Sequence, residues 1–575
     1  MLRQSIRLIT LLVVAFMACS AATAVNMKVD YNTIPKPYSL ELTRQGVYEL
    51  DNTSYITYPE RQPDLEVYAV MLQDYIEQMT GIFVETGYTD ATEAEERSIY
   101  LHLDDSLPQE EFRLNVTPQS ISLASGGHSG VAYGVQYLRK ILAPMATFTS
   151  SKGISHYDDI DNASYSKVGS TLSLDFPTAD VVYRSKMEAR NVMLDKRFMH
   201  LSNREFETIV DIISLHGFNR LVTNQELTDK QIRYAKVNGV EISKDYESII
   251  YSAMANIGNA TDLEETDFGV VGFASLDQLF DHIRVASTYA VTYDDDFQKV
   301  VAQLLPGLAI LSEHQWTHSM EFNRVEMLQR LETLCQLYTH YKYPFSEDVY
   351  MINTSPRIDY EAKKVMLSMS TLDKTPVFWS VNGSDAMLVL GEVELKSSCE
   401  LVATSTRKVL GNREYTTQVD FNKATLQKVD CSKDYLFGDT SEEKLVNLVN
   451  ALKSSSEFPM NEWVYLLGND ITIDITLDKV QKVSTVGINH RIDKTLNCSE
   501  IKDIKILLST DGKSFNEVYS SDKPYPNTPT GDCQLLCKFK SQKAKMVRIV
   551  VNPSSEDTMP LIAIDEISVN GLSKR

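Results

Sequence analysis

Residues Arg190–Thr223 read RNVMLDKRFMHLSNREFETIVDIISLHGFNRLVT, and the fold turns on them. Met193-Leu194-Asp195 closes a short apolar run. Ser202 and Glu205 form an S-x-x-E capping box, in which side chain and backbone satisfy each other's open donors at a helix start. Phe206, Ile209, Val210, Ile213 and His216 recur at helical spacing, giving the helix one apolar face. Gly217 stands where a left-handed residue ends a helix. Phe218–Thr223 returns as a second strand. Strand, helix and strand this close predict a parallel βαβ unit, the opening of a (β/α) barrel whose strand ends carry active sites.

The chain has 575 residues, enough for three or four domains. It is 43% hydrophobic and 23% charged, which fits globular domains and argues against wholesale disorder. The net charge of −22 excludes nucleic acid as a partner class, because that binding draws on clustered Lys and Arg. Residues 1–24 read as a signal peptide: Arg3 and Arg7, an apolar Leu8–Met17, and Ala22-Thr23-Ala24 as the cleavage site. Export to the periplasm, the exterior or the cell surface is therefore expected. Cys19 opens a second route, lipid attachment and cell-surface association, although Phe16-Met17-Ala18 suits it poorly. Six cysteines follow, too few for a disulfide scaffold, and Cys533-x-x-x-Cys537 lacks the partners of a zinc site. Buried thiols with at most one bridge, no metal and no cofactor are expected.

In chain order, residues 27–145 alternate strands (Ser98–Leu103, Phe112–Thr117, Ser120–Ser125) with two helices, a small α+β domain. In the first helix, Leu65–Thr80, the expected apolar side is Val67, Val70, Met71, Tyr75 and Met79. Residues 146–182 are rich in Ser, Thr and Asp and read as a connector; His156, Asp158, Asp159 and Asp161 within it read as solvated. Residues 183–345 hold the barrel-like domain: a helix from Thr228 to a stop at Gly239, a strand at VVGF near 270, and a last strand and helix within Val285–Thr317. Helix Glu321–Tyr341 carries a stripe of Val325, Leu328, Leu331, Leu334, Cys335 and Tyr338. Residues 370–425 alternate as a small β-sandwich, and 440–575 as a larger all-β domain in which Trp463 reads as a core anchor.

Several of these stretches resemble family 20 glycoside hydrolases, the exo-acting β-N-acetylhexosaminidases. The resemblance rests on IPKP from Ile34, FRLNV with ISLAS, and Gly130-x-x-Tyr133-Gly134-x-Gln136-x-Leu138. It continues through Arg190 with Met193-Leu194-Asp195, and through Pro306, Leu308, Ala309, Leu311, Glu313, Trp316 and Thr317. Phe378-Trp-Ser-Val-Asn-Gly-Ser384 resembles the small sandwich that follows some family barrels. Trp463, Ser509–Phe515 and Asp565-Glu566-Ile567 resemble a discoidin-type (coagulation factor C-type) sandwich. The resemblance implies that Arg190 binds sugar hydroxyls, that Asp195 ends the first strand, and that the mechanism is substrate-assisted. In that mechanism the substrate acetamide attacks, an Asp orients it and an adjacent Glu is the acid.

The chain departs from that pattern where the chemistry lies. Asn219–Thr228 lacks the family's histidines, tryptophan and aspartates; Tyr289 replaces the pocket tryptophan and Val291 the sugar-binding glutamate. Arg190 to Trp316 is about 127 residues, against roughly 200 or more for a complete barrel. The acidic pairs in this region are Glu264-Glu265 and Asp294-Asp295-Asp296, the latter suited to a helix N-terminus. The fold class expected is multidomain α/β plus all-β: a small α+β N-terminal domain, a truncated (β/α) barrel-like domain, a small β-sandwich and a C-terminal discoidin-like β-sandwich. The function expected is binding of glycans carrying N-acetylhexosamine by a protein lacking the catalytic pair, with no catalytic residue assigned. The substrate-binding residues would be Arg190, Asp195, Tyr289 and Trp316. The alternative is an active β-N-acetylhexosaminidase whose acid lies within Asp262–Asp267, and a third option is a component of a cell-surface glycan-capture complex.

Overall fold

The computed structural model describes residues 27–151, 173–247, 270–272, 287–317, 323–359, 361–437, 442–453, 463–493, 498–521, 530–553 and 561–570. The leader 1–24 with Cys19, the His156–Asp161 cluster and the Asp262–Asp267 loop lie outside them. The chain divides into two compact units, Met1–Ser346 and Glu347–Arg575.

The first unit opens with β1 (Met27–Lys28), β2 (Ser39–Leu50), β3 (Tyr55–Pro59), α1 (Glu66–Thr80), β4 (Glu85–Thr89), β5 (Ser98–Leu103), β6 (Phe112–Val116), β7 (Ile121–Ser125), α2 (His128–Ser151) and β8 (Leu174–Tyr183). The strands form one mixed sheet, ordered β1-β8-β6-β7-β5-β3-β4, with β2 also on β8. The strand β8 occupies the end of the stretch read as a connector, and α2 runs into its beginning. LDFPTADVVY alternates buried and half-buried positions, and its backbone pairs with both β2 and β6. Helix α1 also turns a different side inward. Tyr68, Leu72 and Ile76 are buried together with the expected Met79, whereas Val67 and Val70 are 39% and 40% exposed. The i, i+4, i+8, i+11 row carries the larger side chains, and it wins the core.

Helix α2 lies flat on the sheet because two of its residues have no side chain. A Cβ on Gly130 would sit 2.0 Å from Ser125 Oγ, and one on Gly134 would sit 2.6 Å from Leu123. The residues between them serve neighbouring elements: Tyr133 donates its hydroxyl to the carbonyl of Gly239 at 2.8 Å. The G-x-x-Y-G-x-Q-x-L pattern thus describes a helix clasped between two layers.

The next layer holds β9 (Asn191–Leu194), α3 (Asn203–Leu215), β10 (Arg220–Val222), α4 (Asp229–Val237), β11 (Glu241–Ser243), β12 (Val270–Gly272), β13 (Thr288–Val291), α5 (Phe297–Leu304), α6 (Gly307–Trp316) and α7 (Arg324–His340). All its strand pairs are parallel, in the order β11-β10-β9-β13-β12. Among the described residues β11 and β12 are the edges. Both expected helix starts are complete capping boxes, Ser202 with Glu205 and Thr228 with Gln231. Gly217 and Gly239 adopt φ of +72° and +73°, the left-handed conformation that lets the chain leave each helix and enter the next strand. Leu328, Leu331, Leu334, Cys335 and Tyr338 of α7 are buried as their spacing implies, and Val325 is half-buried.

Two polar knots hold these helices. Arg139 of α2, 1% exposed, bonds Asp211 of α3 at 2.8 Å and lies 4.4 Å and 4.1 Å from the rings of Tyr75 and Tyr341. His216, fully buried, contacts the Ile212 carbonyl through Nδ1 and the Tyr338 hydroxyl through Nε2, each at 2.7 Å. That pairing suits a neutral ring, protonated on Nδ1 and accepting on Nε2.

The second unit carries two small sheets and one large one. β14 (Asn353–Asp359), β15 (Lys364–Ser370), β16 (Val377–Val381), β17 (Met387–Leu388), β18 (Val393–Leu395), β19 (Cys399–Arg407) and β20 (Gly411–Val419) form sheets β14-β15-β18 and β17-β16-β19-β20. Val365, Leu367, Leu395, Leu401 and Ala403 share one core between them. The sandwich therefore includes β14 and all of β15, ahead of the expected start at 370. β21 (Lys428–Cys431), β22 (Val464–Leu467), β23 (Ile471–Ile492), β24 (Ile501–Ser509), β25 (Asn516–Ser521), β26 (Gly531–Pro553) and β27 (Leu561–Val569) form a seven-stranded antiparallel sheet around one apolar core. Since β21 pairs with β23, this sheet also begins before the expected boundary at 440. Trp463 is buried with Cys498, Leu561 and Ala563, a core position as expected. The six cysteines after the leader are thiols, without the one bridge that export would have permitted.

Burial lowers the pKa of His216 from 6.5 to about 3. Between those values the unfolded chain binds the extra proton, so this contribution is complete above pH 6.5 and is lost as pH falls toward 3. Its slope is at most about 1.4 kcal/mol per pH unit. Urea unfolding at pH 4.5 and pH 7 is expected to show a smaller loss on acidification in His216→Gln than in the parent chain.

Candidate functional site

Active sites of parallel β/α layers form at the C-terminal ends of their strands. Here those ends bring together Asp195, Lys196 and Arg197 after β9, Thr223 and Asn224 after β10, Lys244 and Tyr246 after β11, and Thr292 and Tyr293 after β13. Of the four expected sugar-binding residues, only Asp195 lies at this rim.

Asp195 is committed locally. Arg197 grips its two oxygens at 3.0 Å and 2.8 Å, and the Arg197 amide donates to it at 2.9 Å. Hydrogen bonds from that side chain and amide hold the carboxyl below its usual range. The Arg197 guanidinium in turn lies 5.6 Å from the ring of Tyr293. Behind this pair the ends of β9 and β10 are closely packed. Val222, Tyr246 and Met193 pack together, and Tyr246 donates its hydroxyl to the Leu194 carbonyl at 2.8 Å.

Arg190 sits at the opposite end of β9, about 16 Å from Asp195 by strand rise alone. Arg190 and Asp195 therefore do not meet. The Arg190 side chain is 0% exposed. Nε donates to the Gly217 carbonyl at 2.7 Å, Nη1 to Ser185 Oγ at 3.0 Å and the Met187 carbonyl at 2.6 Å, and Nη2 to Glu110 at 2.7 Å. Asn219 completes the knot: its Oδ1 accepts from the Arg190 amide, and its Nδ2 donates to Glu110 at 3.0 Å. No signal near Arg190 in sequence points to Glu110, because the two are 80 positions apart.

Trp316 is the one expected residue that Arg190 touches. The guanidinium lies 4.8 Å from its ring centre, and the indole N–H donates to the same Gly217 carbonyl at 3.2 Å. Tyr133 and Tyr183 meet that ring edge-on at 5.6 Å and 6.1 Å. Trp316 is thus a buried packing centre, 2% exposed. Tyr289, fully buried, points its hydroxyl at the Gln303 carbonyl, and burial pushes its pKa up. The four residues do not converge on one pocket.

The acidic run beside the rim is also spent. Asp294 accepts from the Asp296 amide, Asp295 from the Tyr293 hydroxyl, and Asp296 caps α5 through the Gln298 amide at 3.0 Å. No group of three or more His, Cys, Asp or Glu side chains suited to a metal ion occurs among the described residues.

Residues 30–154 match the profile of glycosyl hydrolase family 20, domain 2. The chain resembles family 20 glycoside hydrolases there. That match covers β2 to β7 and both helices of the first sheet and ends before β8, so it does not reach the strand ends of the parallel layer. Solved structures similar to the chain include the GH20 β-N-acetylhexosaminidase of Streptomyces coelicolor A3(2), at 11% identity over 55% of this chain and 98% of that one, TM-score 0.38. The GH20 exo-β-N-acetylglucosaminidase of Vibrio harveyi in complex with N-acetylglucosamine is 9% identical over 56% and 79%, TM-score 0.37. The β-N-acetylhexosaminidase of Bacteroides fragilis NCTC 9343 is 10% identical over 55% and 97%, TM-score 0.35.

If Arg190 is a structural cation, Arg190→Met is expected to destabilise the first unit by roughly 3 kcal/mol or more, as breaking a buried ion pair does. Gly217→Ala is expected to destabilise as well, since its Cβ would meet the Trp316 indole at 2.7 Å and its φ is +72°. Asp195→Asn, which loosens an exposed pair, is expected to leave the denaturant midpoint unchanged. Chemical denaturation of the three variants checks this order.

Proposed function

We propose that the chain is an exported, carbohydrate-associated protein on a family 20 glycosidase scaffold that binds glycans carrying N-acetylhexosamine without hydrolysing them by the family mechanism. One observation carries the reading: the ends of β9 and β10 are closely packed by Met193, Val222 and Tyr246, and the charged groups around them are paired with each other. Substrate-assisted hydrolysis needs an adjacent Asp and Glu at a strand end, one to orient the acetamide and one to protonate the leaving oxygen. Among the described residues, the acids after β9 and β13 hold Arg197, a tyrosine hydroxyl and a helix start instead.

The domain match at 30–154 supports the link to sugars. The reading of the seven-stranded sheet as a discoidin-type sandwich adds a module of a kind that often binds glycans through its loops. The leader, with Arg3, Arg7 and the Leu8–Met17 run, supports export.

A chromogenic β-N-acetylglucosaminide separates binding from hydrolysis. Release of chromophore is expected to equal the buffer rate, with Glu264→Gln and Glu265→Gln indistinguishable from the parent chain. Turnover that disappears in either variant would establish the hydrolase instead. Calorimetric titration with N-acetylglucosamine oligosaccharides is expected to give saturable heats, and their absence would remove the binding reading.

A further inference from the structure

A cavity of about 210 Å³ opens between the segment before β2 and helices α2 and α7. Asp30, Thr33, Lys140, Glu326, Gln329 and Arg330 are among its lining residues. Lys140 is 6% exposed, and its ammonium has one hydrogen-bond acceptor among the described residues, the Ile34 carbonyl at 3.0 Å. A lysine ammonium has three donors, and a buried cation without a counter-charge is costly.

The nearby acids are already engaged. Glu313 of α6 accepts from Arg330 Nη2 at 2.5 Å through one oxygen, and from the Lys36 amide at 2.9 Å and Arg330 Nη1 at 3.1 Å through the other. Glu326 of α7 is bound by Lys36 Nζ at 2.7 Å. Asp30 is exposed at the rim, where it accepts from the Asn32 amide. On the α3 side, His216 is held neutral by burial. Arg330 is itself 7% exposed, and its Nε has no partner among the described residues. The cavity is thus lined by two buried basic side chains with donors to spare, Lys140 and Arg330, together with the acids Asp30 and Glu326, and Lys140 also borders a smaller cavity beside Tyr137, Tyr183 and Trp316.

We propose that this cavity binds a small oxyanion, a carboxylate or an inorganic anion of sulfate or phosphate type, with Lys140 Nζ as its principal donor. Burial lowers the pKa of Lys140 to about 7, with Glu313 opposing that shift. Binding an anion restores the missing counter-charge and favours the ammonium, so binding takes up a proton. Affinity is therefore greatest below pH 7 and falls about tenfold per unit above it. The site lies apart from the proposed glycan site, and neither reading depends on the other.

The test titrates the full chain with sulfate and with acetate, neither of which titrates between pH 6 and pH 9, by calorimetry across that range. Saturable binding at pH 6 that weakens about tenfold between pH 8 and pH 9 is expected. Lys140→Met is expected to lose it, while Lys140→Arg keeps it without the pH dependence. Where Lys140→Met does not fold, acetic anhydride labelling of the parent chain replaces it, with either anion expected to slow acylation of Lys140. No saturable binding at pH 6, binding retained in Lys140→Met, or Lys140 acylation unaffected by the anion would each overturn the proposal.

Discussion

The first unit depends on one buried guanidinium. Arg190 enters at the base of β9, and its nitrogens reach acceptors from four places in the chain: Glu110, Ser185, Met187 and Gly217. A charge taken wholly out of water is tolerable only when its donors meet fixed acceptors, and here they do. The arrangement also fixes Trp316, because the Gly217 carbonyl serves both side chains. Gly217 can offer that carbonyl because it has no Cβ to strike the indole and accepts a positive φ. A residue used this way stitches the first sheet, the parallel layer and the end of α6 together.

The same logic accounts for the helix that carries the domain match. The α2 glycines press the helix onto the first sheet, while Tyr133 and Arg139 reach the layer beyond. Tyr133 touches Trp316 edge-on, and Arg139 binds Asp211 in the middle of α3. A motif whose residues alternate between two layers constrains packing of both. Its residues here each have an architectural role.

Features set by local chemistry could be read from the sequence. The capping boxes at Ser202 and Thr228, the left-handed glycines 217 and 239, the strands of 98–125 and the stripe on α7 each follow from residues within a few positions. Features set by distant partners could not. Glu85–Thr89 is a polar edge strand that exists because it pairs with β3, and Leu174–Tyr183 sits in a Ser- and Asp-rich stretch but is claimed by two neighbours. The inward side of α1 was misread because Val67 and Val70 look apolar in isolation, while Tyr68 and Ile76 reach further into the core. For the site the same division holds. The departure of Asn219–Thr228 from the pattern the resemblance implies is visible in the sequence, but the partners that turn Arg190 and Asp195 inward or sideways are not.

Those partners commit the charged groups at the two ends of β9 to the protein itself. Tyr246 and Met193 pack with Val222 at the ends of β9 and β10, beside Asp195. An unpaired carboxylate there would then be a cost with no return, and Arg197 removes it by closing on both oxygens. Arg190, at the other end of the same strand, has gone the opposite way, into full burial with protein acceptors. A strand of four residues cannot place both side chains at one pocket when one lies beneath it and the other beyond it. The layer is therefore pinned at both ends of β9, by the buried guanidinium of Arg190 below it and by the Asp195–Arg197 pair above it, and each is held by protein partners.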